Sequence, residues 1–184
     1  TGPNLHLLNY LETQLNIQFD LHRVPWKRAI ENALNGDGML MGMSITKERS
    51  EKFAFSEPIN GNGNWLVTRC DRSFKYEKLE DLRGKTIGIV SGTSVGEEFD
   101  RHANQLFQVE HDTGAGIARL QKLALKRVDS LIWYGGISNA KEIEESINRR
   151  YEIKQDGNAK LFCVANKPVS ILTNHFAMKI DSDK

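Results

Sequence analysis

Residues 25–50 read PWKRAIENALNGDGMLMGMSITKERS, and this stretch decides the fold class. Pro25 opens a helix at its first turn, where a missing N–H costs little. Ala29, Ile30, Ala33 and Leu34 recur on one face, and Asn35-Gly36-Asp37-Gly38 ends the helix. Met39 to Met43 is then a short apolar run between turn signals, the pattern of a buried strand. Upstream, Asn4 caps a helix with Leu5, Leu8, Leu11 and Leu15 on one face. Between the two helices, Ile17 to Val24 alternates Ile17, Phe19 and Leu21 with polar residues, which predicts a strand. Helix, strand, helix and strand alternate, so the fold class is α/β.

Trp65-Leu66-Val67 predicts a further strand, and residues 69–85 then turn polar and charged, as a connection between lobes does. A second α/β run follows. It comprises a strand Thr86–Val90, a helix from about Ser94 to Asn104 and a strand Phe107–Glu110. A helix with Ile117, Leu120 and Ala124 on one face leads to a strand Ser130–Trp133. A charged helix from about Asn139 to Arg149 precedes strands Leu161–Val164 and His175–Ile180. The expected division is one lobe of residues 1–67 plus 176–184 and a second of residues 68–175.

Composition narrows the function. The 184 residues carry 25 basic and 24 acidic side chains, a net charge of +1, without the concentrated basic excess of a nucleic-acid binder. A mean hydropathy of −0.48 and the lack of a long apolar run predict no transmembrane helix. No charged-then-apolar leader stands at the N-terminus, so an export signal is expected to have been removed or never to have been present. Two cysteines, Cys70 and Cys163, are too few for a disulfide scaffold or a zinc site. An oxidising compartment would permit a bond between them, and free, buried thiols are the expectation. The five histidines are scattered singly, so neither a metal nor a cofactor is expected.

Four segments invite chemistry. Gly84-Lys85-Thr86 is no phosphate loop, because position 79 is Leu79 and the tripeptide opens a strand rather than a helix. Ser91-Gly92-Thr93-Ser94 lies between a strand and a helix expected to begin near Val95. Backbone N–H groups and the helix dipole there suit a carboxylate, and an ordinary N-cap explains the same residues. In Gly42-Met43-Ser44-Ile45-Thr46-Lys47-Glu48-Arg49, Arg49 offers a planar fork to a carboxylate beside the Ser44 hydroxyl, or else is simply solvated beyond a capping turn. Trp26 is a core anchor or an aromatic wall. No GxSxG elbow and no paired carboxylates occur, so an enzyme is not expected.

Taken in order, these residues resemble the bacterial extracellular solute-binding proteins of family 3, the amino-acid-binding subunits of ABC importers. The resemblance rests on Pro25-Trp26, Leu34-Asn35-Gly36-Asp37, Gly42-Met43-Ser44, Thr46-Lys47-Glu48-Arg49 and Phe55-Ser56-Glu57-Pro58. In the second half it rests on Asp81-Leu82-Arg83-Gly84-Lys85 and Ser91-Gly92-Thr93. It implies a two-lobed flytrap of the type 2 periplasmic-binding-protein kind, with a small-molecule ligand in the cleft. Carried over, Arg49 takes the ligand's α-carboxylate, with Ser44 and the Gly42 carbonyl assisting. Trp26 walls the pocket, while Gly92, Thr93 and the Ser94 N–H complete the carboxylate site. The implied setting is periplasmic or extracellular, as a monomer serving a membrane permease. The same fold also implies an alternative, the sensing domain of a membrane receptor such as a histidine kinase or cyclase.

Three departures qualify the likeness. Tyr134 stands where amino-acid binders place the aspartate that pairs with the ligand's ammonium. Burying an unpaired ammonium is costly, so Tyr134 is expected to bind a less cationic ligand group by ring stacking or a phenol hydrogen bond. Ile59 replaces the tyrosine after F-S-x-P. Both ends look clipped relative to the family, without its first strand and its closing helices.

Overall fold

Two ten-residue strands, β3 (Asn60–Arg69) and β8 (Ser170–Lys179), run antiparallel through the middle of the molecule and organise the remainder. The structure is a computed structural model that describes residues 3–114, 116–136, 139–152 and 160–180. Before β3 come α1 (Pro3–Leu15), α2 (Trp26–Leu34), β1 (Leu40–Met43), α3 (Lys47–Ser50) and β2 (Phe53–Phe55). Between the two crossing strands lie β4 (Thr86–Val90), α4 (Glu97–His102), β5 (Gln108–Asp112), α5 (Gly116–Ala124), β6 (Ser130–Gly135), α6 (Ala140–Glu152) and β7 (Phe162–Val164).

The register shows how the halves share strands. Asn60–Asn64 of β3 pair with Asn174–Ser170 of β8, and beyond that point the two strands part company. β8 continues into the first half, where it pairs with β1 and β2. β3 continues into the second, pairing with β6 from Gly63 to Thr68 and with β7 from Val67 to Arg69. β4 lies parallel to both β5 and β6, and its near-continuous apolar run Ile87-Gly88-Ile89 is buried accordingly.

Three apolar clusters follow from the pleat. In the first half, Ala33, Leu40, Met43, Phe53 and Ala177 are buried together beneath α2. In the second half, Trp65 and Val67 point to a core roofed by α5 and α6, while Leu66 between them points to the opposite core with Ile87, Phe99, Phe107 and Ile132. The molecule is thus a mixed α/β fold of two lobes crossed by two strands.

Several expectations need correction. Residues 17–25 form no strand, and Ile17, Leu21 and Val24 stay 43%, 52% and 40% exposed. Alternation marks a strand only where a partner ladder satisfies its backbone, and among the described residues none pairs here. α1 begins at Pro3, so Asn4 lies inside the helix rather than ahead of it. α4 spans only Glu97–His102, because Gly96 at φ 120° breaks the chain direction before it. β8 starts at Ser170, five residues earlier than its apolar pattern suggests, since its first half is held by β3 rather than by burial.

The cysteines are also corrected. Cys70 and Cys163 form a disulfide, with their Cα atoms 4.9 Å apart across 93 residues of chain. The β3–β7 ladder sets Thr68 opposite Cys163, so Cys70 arrives beside it through pairing that no local pattern reports. Among the described residues no helix is long and apolar enough to cross a membrane.

A loop closed by a cross-link across about 93 residues restricts the unfolded chain by roughly 4–5 kcal/mol in the loop-entropy account. Urea unfolding with and without reductant should show a loss of that order, and Cys70→Ser/Cys163→Ser should match the reduced protein. Mass spectrometry of the unreduced chain should find no alkylatable thiol.

Candidate functional site

The site begins where β1 ends. Gly42, at φ +96°, turns the backbone, and the buried Ser44 follows. Thr46 caps α3 by accepting from the Arg49 N–H at 3.2 Å, which folds Arg49 back towards Ser44. Its Nη1 donates to the Ser44 carbonyl at 2.7 Å and to the Ser44 hydroxyl at 2.8 Å. Its Nη2 crosses to the other lobe and donates to the Gly92 carbonyl at 2.8 Å. Trp26 Nε1 donates to the same carbonyl at 3.1 Å. Burial pulls the Arg49 pKa down from its ordinary value, opposed by Asp100 and then Glu48, and the group stays cationic.

Gly92 must be glycine for this meeting to occur. It sits at φ +80°, and a Cβ there would lie 3.3 Å from Ile30 Cδ1 and 3.4 Å from the Lys27 backbone. The turn therefore lies directly against α2.

On the second lobe, Thr93 Oγ1 donates to the Val90 carbonyl at 2.7 Å, so its lone pair accepts from the Tyr134 hydroxyl at 2.6 Å. The Val90 N–H donates to that same phenol at 3.3 Å. Tyr134 therefore braces the Ser91–Ser94 turn. Burial pushes its pKa up, partly offset by its bonds to Thr93 and Val90. The Ser94 hydroxyl donates to Asp100, whose other oxygen accepts from the Val95 N–H at 3.1 Å. The Gly96 N–H donates to Ser94 Oγ at 3.2 Å. A helix starting at Glu97 therefore brings no bare N-terminus to this turn, contrary to expectation. The donors of this turn left without an acceptor among the described residues are the Gly92 and Ser94 N–H groups.

Trp26, Gly42, Ser44, Arg49, Thr93, Ser94 and Tyr134 border one small cavity of about 60 Å³ between the lobes. Gly92, also expected at the site, does not border this cavity and lines the larger one beyond Arg49. Asn62, Leu172 and Asn174 complete the wall and were missed in the sequence. They come from the crossing strands, whose register decides that they face the cleft. On the far side of Arg49 a larger cavity of about 880 Å³ opens, with Ile30, Leu34 and Phe53 on one wall and Asp100, Arg101 and His111 on the other. Arg49, Thr93, Ser94 and Leu172 border both spaces. No cluster of metal-ligating side chains occurs among the described residues.

A family model for bacterial extracellular solute-binding proteins, family 3, matches residues 1–159. The chain belongs to that family. The ABC transporter arginine-binding protein 1 of Escherichia coli is 36% identical over 58 residues, a match spanning 32% of this chain and 23% of that protein. Among solved structures, the arginine-binding protein of T. maritima superposes with a TM-score of 0.73 at 22% identity, covering 97% of this chain and 73% of its own. An amino acid ABC transporter substrate-binding protein of Streptococcus pneumoniae bound to L-arginine gives 0.72 at 20% identity, covering 99% and 72%. An ancestral arginine-binding protein bound to glutamine gives 0.73 at 21% identity, covering 99% and 75%. At these identities the superpositions establish the two-lobed fold. The family consists of binding proteins.

The raised Tyr134 pKa carries a pH consequence. A phenol kept neutral by the fold contributes its stability fully below the ordinary tyrosine value of about 10 and loses it as pH rises through the folded value. The stability difference between the native chain and Tyr134→Phe should be flat up to about pH 9 and shrink above pH 10. A gap that stays constant to pH 12 in alkaline denaturant titrations would show that the phenol is not held neutral.

Proposed function

We propose that the chain is an extracytoplasmic solute-binding module that closes on a small carboxylate-bearing solute, an amino acid or a related compound, for an ABC importer. The observation that carries this reading is the Arg49 guanidinium, anchored on Ser44 and reaching across the cleft to the Gly92 carbonyl. A carboxylate is a stronger acceptor than a carbonyl for an arginine. Entering the cleft, it takes over the contact from Gly92 and finds the Ser94 N–H beside it. The two lobes then share a ligand where they now share one carbonyl, which is hinge closure by differential binding.

Arginine-binding relatives support a ligand of amino-acid type, and Tyr134 adds a restriction. No carboxylate stands at that position to neutralise an α-ammonium, and the acids nearest the clamp are committed elsewhere, Asp100 to Ser94 and Val95 and Glu48 to Lys52. A ligand lacking a free α-ammonium suits this cleft better than a standard amino acid does. The disulfide suits a periplasmic or extracellular location. The proposed lobes are residues 1–67 plus 176–184 and residues 68–175, with the crossing strands as hinge.

A thermal-shift screen over amino acids, dicarboxylates and polyamines tests the reading, since a ligand of the native state raises the melting temperature. For the best carboxylate found, Arg49→Ala should weaken binding about ten- to a hundredfold, equivalent to roughly 1.5–3 kcal/mol. Arg49→Lys should be nearly as damaging, because lysine has no planar fork. Tight binding of an ordinary L-amino acid, untouched by Arg49→Ala in titration calorimetry, would overturn the assignment.

A further inference from the structure

Arg119 on α5 is 4% exposed and lies behind the cleft rather than in it. Its Nε donates to Asp112 Oδ2 at 2.8 Å, and its Nη2 donates to the carbonyls of Gly88 at 3.2 Å and Ile132 at 2.7 Å. Those three partners stand on β5, β4 and β6, the parallel neighbours whose ends carry the Ser91–Ser94 turn and Tyr134. The guanidinium carbon also lies 5.6 Å from the centre of the Tyr134 ring. A buried ion pair is a poor device for stability, because an apolar side chain of similar size serves as well. What a guanidinium adds is a planar fork that holds several acceptors in one geometry.

Each of these contacts leads one step further, to the turn. The Asp112 carbonyl accepts from the Ser91 N–H at 2.9 Å, and Asp112 Oδ1 accepts from the Gly114 N–H at 3.0 Å. The Tyr134 phenol holds Thr93 Oγ1 and the Val90 N–H. Gly88 and Ile132 lie two residues before Val90 and Tyr134 on their strands.

We infer that Arg119 is the positioning residue of the candidate anion site, setting the Ser91–Ser94 turn through Asp112 on one side and Tyr134 on the other. This rests on the reading that the turn holds the ligand's anion. Because Arg119 borders neither cleft cavity, it acts through the groups it holds: Asp112, the Tyr134 ring and the carbonyls of Gly88 and Ile132.

Residue-resolved hydrogen exchange of the ligand-free, disulfide-intact chain tests this without a ligand. Arg119→Lys keeps a charge opposite Asp112 but loses the fork and the ring contact. The amides of Val90, Ser91 and Thr93 should exchange about tenfold faster or more, while Leu66 and Val67 of β3 keep their protection. Tyr134→Phe, a milder change that keeps a ring beneath Arg119, should release Val90 and Thr93 and leave Ser91 protected by the Asp112 carbonyl. Acceleration spread evenly over β4, β5, β6 and α5 in Arg119→Lys, or unchanged exchange at the turn in both variants, would overturn the inference. Failure of the binding reading shows differently, as no carboxylate-dependent melting shift in a native chain whose exchange pattern is as described.

Discussion

The pairing of β3 with β8 is the constraint on which everything else in this molecule depends. Only five residues of each strand pair with the other, yet each strand continues into a different lobe. At this crossing the two lobes are joined by hydrogen-bonded backbone. At that crossing Asn64 is wholly buried, and its amide donates to the Ser170 hydroxyl and to the Val95 carbonyl. Ser170 donates to the same carbonyl. Buried polar groups persist only when satisfied, so this junction ties the crossing strands to the segment that follows the Ser91–Ser94 turn.

From that junction the cleft follows. The Gly92 carbonyl lies where donors from the first lobe converge, Arg49 through Nη2 and Trp26 through Nε1. A single carbonyl is a modest acceptor for a guanidinium, and a net hydrogen bond of this kind contributes roughly 1–3 kcal/mol. Under the proposed function this is the contact that a carboxylate ligand exchanges for its own. Beneath it, the Arg119–Asp112 pair adds rigidity on one side only. The second lobe presents a stiff turn, and the first a side chain folded back on a single turn of helix.

Much of the fold was legible in the chain because local patterns suffice where burial is one-sided or complete. α2 and β1 follow from the apolar periodicity of residues 25–43, and β4 from its unbroken apolar run. The pattern around Ser44 and Arg49 left a carboxylate clamp and a solvated capping turn equally open, and the structure folds Arg49 back onto Ser44. The alternating segment 17–24 misled, since its pattern is correct for a strand and no ladder among the described residues receives it. α4 misled in the opposite way, because Gly96 and the Asp100 bonds reshape a segment that periodicity alone would make helical from Ser94.

What the sequence determined by itself is the alternation of elements, the second-lobe strands and the residue types able to hold an anion. Those depend on contacts a few positions apart, where side-chain period and turn chemistry leave few choices. Only the tertiary structure decided that Asn62 and Asn174 face the cleft, that Cys70 meets Cys163, and that Tyr134 braces Thr93. Each of those meetings joins residues more than 40 positions apart. Their register is set by which strands lie side by side, and strand pairing is a property of the whole chain rather than of any window within it.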